Sequence, residues 1–102
     1  MAGVHPLIAA VARNMPRINR ALGFNSRVTS TYRTKAQQAK LYSDYIAGRS
    51  SLPANKPGYS LHERGLAIDI VTDDLRELVG FMSYLGFKWA GPKDKVHFYL
   101  TP

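Results

Sequence analysis

The segment SLHERGLAID, residues 60–69, joins a short polar turn to the start of an apolar strand. Because successive strand side chains point to opposite faces, Ile68 and Ile70 share one face and Asp69 lies on the other. A carboxylate buried in an apolar strand costs several kcal/mol unless a cation or a metal pairs with it. The segment therefore predicts a strand with one face toward a core, while the other face carries Asp69 toward an arginine or a metal ion.

His62 and His97 extend this carboxylate into a set of metal-ligating residue types. Gly65 allows a tight turn that returns His62 over the strand, and His97 lies in the segment DKVHF, residues 94–98. Two imidazoles and one carboxylate can hold Zn²⁺ with one coordination position open, and Asp94 supplies a second carboxylate as general base. Each residue alone also has a structural explanation, as a satisfied histidine or a turn aspartate. If the set converges in space, the chain is a hydrolase.

Apolar periodicity predicts three helices, over residues 7–22, 34–49 and 74–85. Pro16 should kink the first helix or divide it into two short ones. Thr34 and Gln37 predict a capping box at the start of the second helix. Thr72 or Asp73 is expected to cap the third.

Alternating and β-branched stretches predict four strands, over residues 27–32, 66–71, 87–90 and 96–100, of which the last two form a terminal hairpin. The order of elements predicts an α+β fold, a small and mainly antiparallel sheet with helices packed on one face. We expect a single domain over residues 1–102. The strand phase lets Asp69, His97 and, at the end of the first strand, Arg33 project from the face that the helices leave open.

The composition fits one domain and excludes several classes of function. There is no cysteine, so nitrogen and oxygen atoms must hold any metal. No apolar run approaches the length of a membrane span. Lys plus Arg is 14 against 7 Asp plus Glu, and the formal net charge of +7 favours an anionic partner, either nucleic acid or a wall polymer. The basic residues are scattered along the chain, so a solvated surface explains them equally well and no specific nucleic-acid site is expected.

Five motifs occur in an order and spacing that is specific in combination: STYR with Gln38 after it, PGYSLH, GLAID, GFKW and DKVHF, between residues 30 and 98. With these motifs the chain resembles the zinc-dependent D-alanyl-D-alanine carboxypeptidases of the VanY type. That family includes phage endolysins that cut the L-alanyl-D-glutamate bond, and it shares the fold of the hedgehog signalling domain. The resemblance covers most of the chain, from about Arg27 to Tyr99.

The resemblance implies a role for each residue of the candidate site. Zinc would lie on His62, Asp69 and His97, and Asp94 would be the catalytic base. Arg33 would contact the substrate or the developing oxyanion, and so counts as both catalytic and substrate-binding. The remaining predicted substrate-binding residues are Ser60 and Gln38.

The resemblance also implies a function. We expect a zinc metallopeptidase that hydrolyses amide bonds in the peptide stem of peptidoglycan, as a D-Ala-D-Ala carboxypeptidase or an L-Ala-D-Glu endopeptidase. The N-terminal residues do not predict a secretion signal, so a monomeric phage lytic enzyme, made in the cytoplasm and acting on the wall after release or within a phage particle, is the expected setting. The alternative is a non-catalytic zinc-containing module that binds the wall or a protein. Asp94 argues against that alternative, because a structural zinc needs no base.

Overall fold

The computed structural model describes residues 3–51 and 53–102, and it combines three α-helices with a four-stranded antiparallel sheet. The helices are α1 (Pro6–Leu22), α2 (Lys35–Ile46) and α3 (Leu75–Tyr84). The strands are β1 (Ser26–Ser30), β2 (Ala67–Thr72), β3 (Lys88–Trp89) and β4 (His97–Tyr99), in the sheet order β1-β2-β4-β3. All neighbouring strands are antiparallel, and β3 and β4 form the terminal hairpin. The α+β class predicted from the sequence is confirmed.

Helices α1 and α3 supply the helical side of the hydrophobic core. Their buried apolar side chains pack against strand residues that point to the same side of the sheet, among them Ile68, Ile70 and Phe98. The helical residues in this core are between 0% and 4% exposed: Ile8, Val11, Met15, Leu78 and Met82. At roughly 1.5–3 kcal/mol for each fully buried large side chain, this cluster is the main favourable contribution to folding.

Helix α1 runs without interruption through Pro16, so the predicted division into two short helices is wrong. Pro16 is exposed, and the hydrogen bond that its missing N–H cannot make lies on the solvent side of the helix. Val11 and Met15 before it and Ile18 after it pack on the core, which holds both segments on one axis. His5 is a structural residue here, because its Nδ1 accepts the Leu7 N–H at 3.1 Å and caps the helix.

Helix α2 begins as predicted but packs differently from the other two. Thr34 and Gln37 form the capping box, with distances of 2.9 and 3.1 Å. In the described part of the chain, α2 contributes nothing to the core cluster, and its one buried residue is the polar Gln38. The arrangement of helices on one face of the sheet therefore holds for α1 and α3, whereas α2 stands beside the candidate site.

The cap of α3 is Asp74, which corrects the expectation of Thr72 or Asp73. A carboxylate oxygen of Asp74 accepts the Glu77 N–H at 3.2 Å. Asp73 is used elsewhere, since its carboxylate accepts the Asn25 N–H at 2.8 Å and ties β1 to the end of β2. None of the helices in the described part of the chain has the length and apolar character of a membrane span.

Candidate metal centre

Strands β2 and β4 bring Asp69 and His97 together. The two residues are direct partners in the antiparallel register, so their side chains leave the sheet on the same face. His97 Nδ1 lies 3.1 Å from Asp69 Oδ1. On the opposite face of the same strands, Ile68, Ile70 and Phe98 enter the core. This is the division of faces that the strand phase predicted.

A short 3₁₀ helix, Leu61–Arg64, places His62 over this pair. The hydroxyl of Ser60 accepts the His62 N–H at 3.2 Å and caps the helix. Gly65 ends it with a φ of 69°, a left-handed conformation that side chains disfavour. A Cβ at Gly65 would also collide with the carbonyl oxygen of Gly3. Both the left-handed backbone conformation and the close approach of the N-terminal segment therefore require glycine at residue 65.

Three ring and carboxylate atoms converge in a nearly equilateral triangle. His62 Nε2 lies 3.1 Å from Asp69 Oδ1 and 3.3 Å from His97 Nδ1, and the third side is 3.1 Å. The carbonyl oxygen of Thr31 can only accept, so His62 Nδ1 donates to it at 2.6 Å, and in the neutral ring Nε2 carries a lone pair. Ligand atoms at about 2.0–2.1 Å from a tetrahedral zinc ion are about 3.3 Å apart. The triangle therefore has the donor types and the size that zinc requires.

The electrostatics of the triangle favour an ionised Asp69. Burial opposes its ionisation, but when His62 and His97 carry a second proton they donate hydrogen bonds and positive charge that outweigh burial and hold the pKa of Asp69 well below its usual range. Arg33 Nη2 donates to Asp69 Oδ2 at 3.0 Å, which leaves Oδ1 to face the histidines. The carboxylate is thus held in the orientation that presents Oδ1 to the two histidines.

The three predicted substrate-binding residues already make internal contacts. Arg33 Nη1 donates to Gln38 Oε1 at 3.3 Å, and Gln38 Nε2 donates to the Asn55 carbonyl oxygen at 2.8 Å. Together with the bond from Arg33 to Asp69, these hydrogen bonds connect β2, α2 and the loop after α2. Gln38 is 1% exposed and Ser60 is 5% exposed, while the Arg33 side chain is 21% exposed. The carbonyl groups of Thr31 and Asn55 were not found from the sequence, because a backbone acceptor has no residue signature.

The triangle lies in a groove of about 750 Å³. Asp94, at the end of the 3₁₀ helix Pro92–Asp94, lines this groove and is exposed. Leu41 and Tyr45 of α2 form an apolar part of the wall, and Lys93 and Lys95 line it as well. The fold therefore gathers all the predicted site residues around one groove, with Asp94 outside the ligand triangle.

The comparisons with known proteins give the family. Residues 2–100 match the VanY family, described as D-alanyl-D-alanine carboxypeptidase. The chain belongs to this family, which is one of zinc-dependent peptidases. The comparison with curated proteins found no match.

Several solved structures share the fold. The zinc complex of a VanY D,D-pentapeptidase variant has a TM-score of 0.77 and 21% identity, over 97% of this chain and 73% of that one. The LD-carboxypeptidase LdcB has a TM-score of 0.73 and 23% identity, over 98% of this chain and 66% of that one. The L-Ala D-Glu endopeptidase ChiX of Serratia marcescens has a TM-score of 0.59 and 24% identity, over 97% of this chain and 81% of that one. This chain thus spans slightly less than two thirds of LdcB.

These results confirm three expectations at the level of the family: the fold, the peptidase class and zinc as cofactor. They do not test the individual roles of the site residues, which stay predictions. The geometry nevertheless brings His62, Asp69 and His97 into one triangle, as the resemblance implied.

Proposed function

We propose that this chain is a zinc-dependent peptidase that hydrolyses an amide bond in the peptide stem of bacterial peptidoglycan. The observation that carries the proposal is the triangle of His62 Nε2, Asp69 Oδ1 and His97 Nδ1, with sides of 3.1 to 3.3 Å, in a groove that Asp94 also lines. Three ligands leave one tetrahedral position open, which is typical of catalytic rather than structural zinc sites.

Each residue has a distinct task in the proposed reaction. His62, Asp69 and His97 hold the ion, which when bound supplies a Lewis acid for the scissile carbonyl and lowers the pKa of water. Asp94 accepts the proton of the attacking water and returns it to the leaving amine. Gln38 and Ser60 position Arg33 and His62 through the hydrogen bonds described above. Arg33, the most exposed of the three predicted substrate-binding residues, is the one that we expect to reach the substrate.

The groove suits a peptide with small apolar side chains and carboxylates. Leu41 and Tyr45 offer apolar surface, and Lys93 and Lys95 offer positive charge near the ligand triangle. The related proteins are named as an LD-carboxypeptidase, a D,D-pentapeptidase and an L-Ala D-Glu endopeptidase, and these names refer to different bonds. We therefore propose the stem peptide as the substrate class, and the masses of the digestion products identify the bond within it.

Digestion of purified peptidoglycan fragments tests the proposal, with mass spectrometry of the products. Zinc-loaded protein should release a terminal D-alanine or separate L-alanine from D-glutamate, and the two products differ in mass. Chelator should stop the reaction, and readdition of zinc should restore it. The His97→Ala variant should bind no zinc and form no product. Zinc binding without any product from the wild type would instead favour the non-catalytic binding module.

The lytic setting and the monomeric state also remain predictions. Removal of a terminal residue leaves the wall network intact, whereas cleavage between L-alanine and D-glutamate detaches its cross-links. Protein added to permeabilised cells should therefore reduce turbidity only if it is an endopeptidase. Sedimentation velocity would give the oligomeric state directly.

A further inference from the structure

The whole net charge of the chain comes from its first part. Residues 1–43 contain 7 of the 14 Lys and Arg residues and none of the 7 Asp and Glu residues. The remaining residues carry 7 basic and 7 acidic side chains, so their formal charge is zero. The basic residues are spread along the sequence, but the net positive charge is concentrated in the segment that runs from α1 through β1 into α2.

Three of these residues form a stripe on α1. Arg13, Arg17 and Arg20 follow one another at the spacing i, i+4 and i+7, which confines them to about 60° of the helix circumference. They lie opposite the side that carries the core residues Ile8 and Val11. The three guanidinium groups extend over roughly 10 Å along a straight helix at 1.5 Å per residue. We call these three residues the arginine stripe.

The arginine stripe is exposed and has no acidic partner among the residues that the structure describes. All three residues are exposed, and none forms an ion pair within residues 3–51 and 53–102. The amide side chains of α1 are committed to the protein, because Asn14 bonds to the Ala10 carbonyl and Asn19 bonds to the backbone of Ser26. The stripe therefore presents three guanidinium groups to solvent, and the two Asn side chains of α1 are not free to bind a ligand beside them.

We propose that the arginine stripe binds an anionic phosphate polymer of the bacterial cell wall. The planar guanidinium group matches the geometry of phosphate, and a row of three suits a linear polyanion better than a single small ion. The stripe lies on the solvent-facing side of α1, and α1 packs on the core side of the sheet. A polymer bound there leaves the groove on the opposite face of the sheet open to a stem peptide. The choice of a wall polymer over nucleic acid rests on the proposed function.

Two charge-matched variants test the stripe. The first replaces Arg13, Arg17 and Arg20 by Gln, which has a similar helix propensity. The second replaces Lys56, Arg76 and Lys88 by Gln, and these residues are exposed and lie outside the groove. Both variants lower the net charge by the same amount, so any difference between them reports the position of the charges. Unchanged melting curves would confirm that both are folded.

The measurement is binding to purified cell-wall sacculi with and without their phosphate polymer. At about 50 mM salt, we expect the stripe variant to bind intact sacculi at least tenfold more weakly than the wild type. For this variant, the slope of the logarithm of the binding constant against the logarithm of the salt concentration should be shallower by about 2–3. Each lost phosphate contact reduces the magnitude of that slope by about 0.7–0.9. The control variant should bind nearly as well as the wild type, and removal of the polymer should abolish the difference.

Equal loss in both variants would overturn the proposal and leave only unspecific attraction. Tighter binding of duplex DNA than of the polymer, with the same dependence on the stripe, would also overturn it in favour of nucleic acid. Hydrolysis of a soluble stem peptide should be the same in all three proteins, because none of the six residues lies in the groove. If the proposed function is wrong, no protein will hydrolyse the stem peptide. If only the stripe proposal is wrong, hydrolysis will be normal and the binding assay will show no specific loss.

Discussion

Helices α1 and α2 both carry apolar residues at helical spacing, but they use them for different purposes. In α1, Ile8 and Val11 are 0% and 3% exposed and belong to the core. In α2, Leu41 and Tyr45 remain 39% and 40% exposed and line the groove around the ligand triangle. An apolar stripe on a helix thus indicates a surface that needs covering, and in a peptidase the substrate can be part of that cover.

The same contrast divides the whole molecule at the sheet. The core side consists of α1, α3 and the strand residues packed on them, such as Ile68 and Phe98. The groove side consists of α2, the 3₁₀ helices Leu61–Arg64 and Pro92–Asp94, and the face of Asp69 and His97. We expect changes on the core side to alter stability at constant chemistry, and changes on the groove side to alter chemistry at nearly constant stability.

Asp94→Asn should have the largest effect on activity with no effect on stability, and so should distinguish the groove side from the core side most clearly. Loss of a general base typically reduces turnover by about 10²–10⁴-fold. Asp94 lies outside the ligand triangle, so zinc content and melting temperature should be unchanged. Hydrolysis of a stem peptide and metal analysis of the same sample check both statements.

Asp74→Asn is the matched control on the core side, because Asn caps a helix about as well as Asp. This variant should keep full activity. An Asp94→Asn protein that retains more than a tenth of wild-type turnover would show that Asp94 is not the base.

Leu78→Ala should have the largest effect on stability. Leu78 in α3 is 0% exposed, and truncation of a buried leucine costs about 2–5 kcal/mol. Urea unfolding measures the loss, and the zinc content of the folded fraction should stay at the wild-type level. A variant that loses zinc before it unfolds would break the division at the sheet.

Removing one helix cap on each side of the sheet compares the groove side with the core side at the same expected loss of stability. Ser60→Ala and Asp74→Ala each remove a side-chain acceptor from a helix start, and each should cost about 1 kcal/mol. Only Ser60 holds the turn that carries His62, so only its variant should weaken zinc binding, by about tenfold. Competition with a chromogenic chelator measures the affinity. Equal zinc affinity in both variants would mean that the turn is held by Gly65 and its neighbours without the cap.

The sequence predicted those parts of the fold that depend on local spacing. The capping box at Thr34 and the turn at Gly65 are local patterns, and both were found as expected. Strand phase placed Asp69 and His97 on one face because the period of a strand is fixed at two residues. Pro16 was misjudged because its tolerance depends on core contacts on both sides of it, which no local rule contains.

The destination of the apolar residues of α2 could not be predicted from periodicity. Whether an apolar side chain is buried depends on what packs against the helix. The apolar residues Leu41 and Tyr45 of α2 line the groove instead of packing on the core. The contacts of Arg33 with Asp69 and of Gln38 with Asn55 were equally inaccessible, because they join residues 36 and 17 positions apart through side chains and a backbone carbonyl. The family resemblance named Arg33, Asp69 and Gln38, but it did not name Asn55 or say which of these residues contact one another.

Leu41→Ala is the smallest and most direct test of the difference between α1 and α2. Leu41 is already 39% exposed, so its truncation should cost less than about 1 kcal/mol of stability. Because Leu41 lines the groove, we expect KM for a stem peptide to rise a few-fold while kcat and zinc content change little. Ile46→Ala is the control, since Ile46 lies on the same helix, is 63% exposed and does not line the groove. If the two variants have the same KM, the apolar residues of α2 do not contact the substrate, and the exposed stripe must be covered by something else.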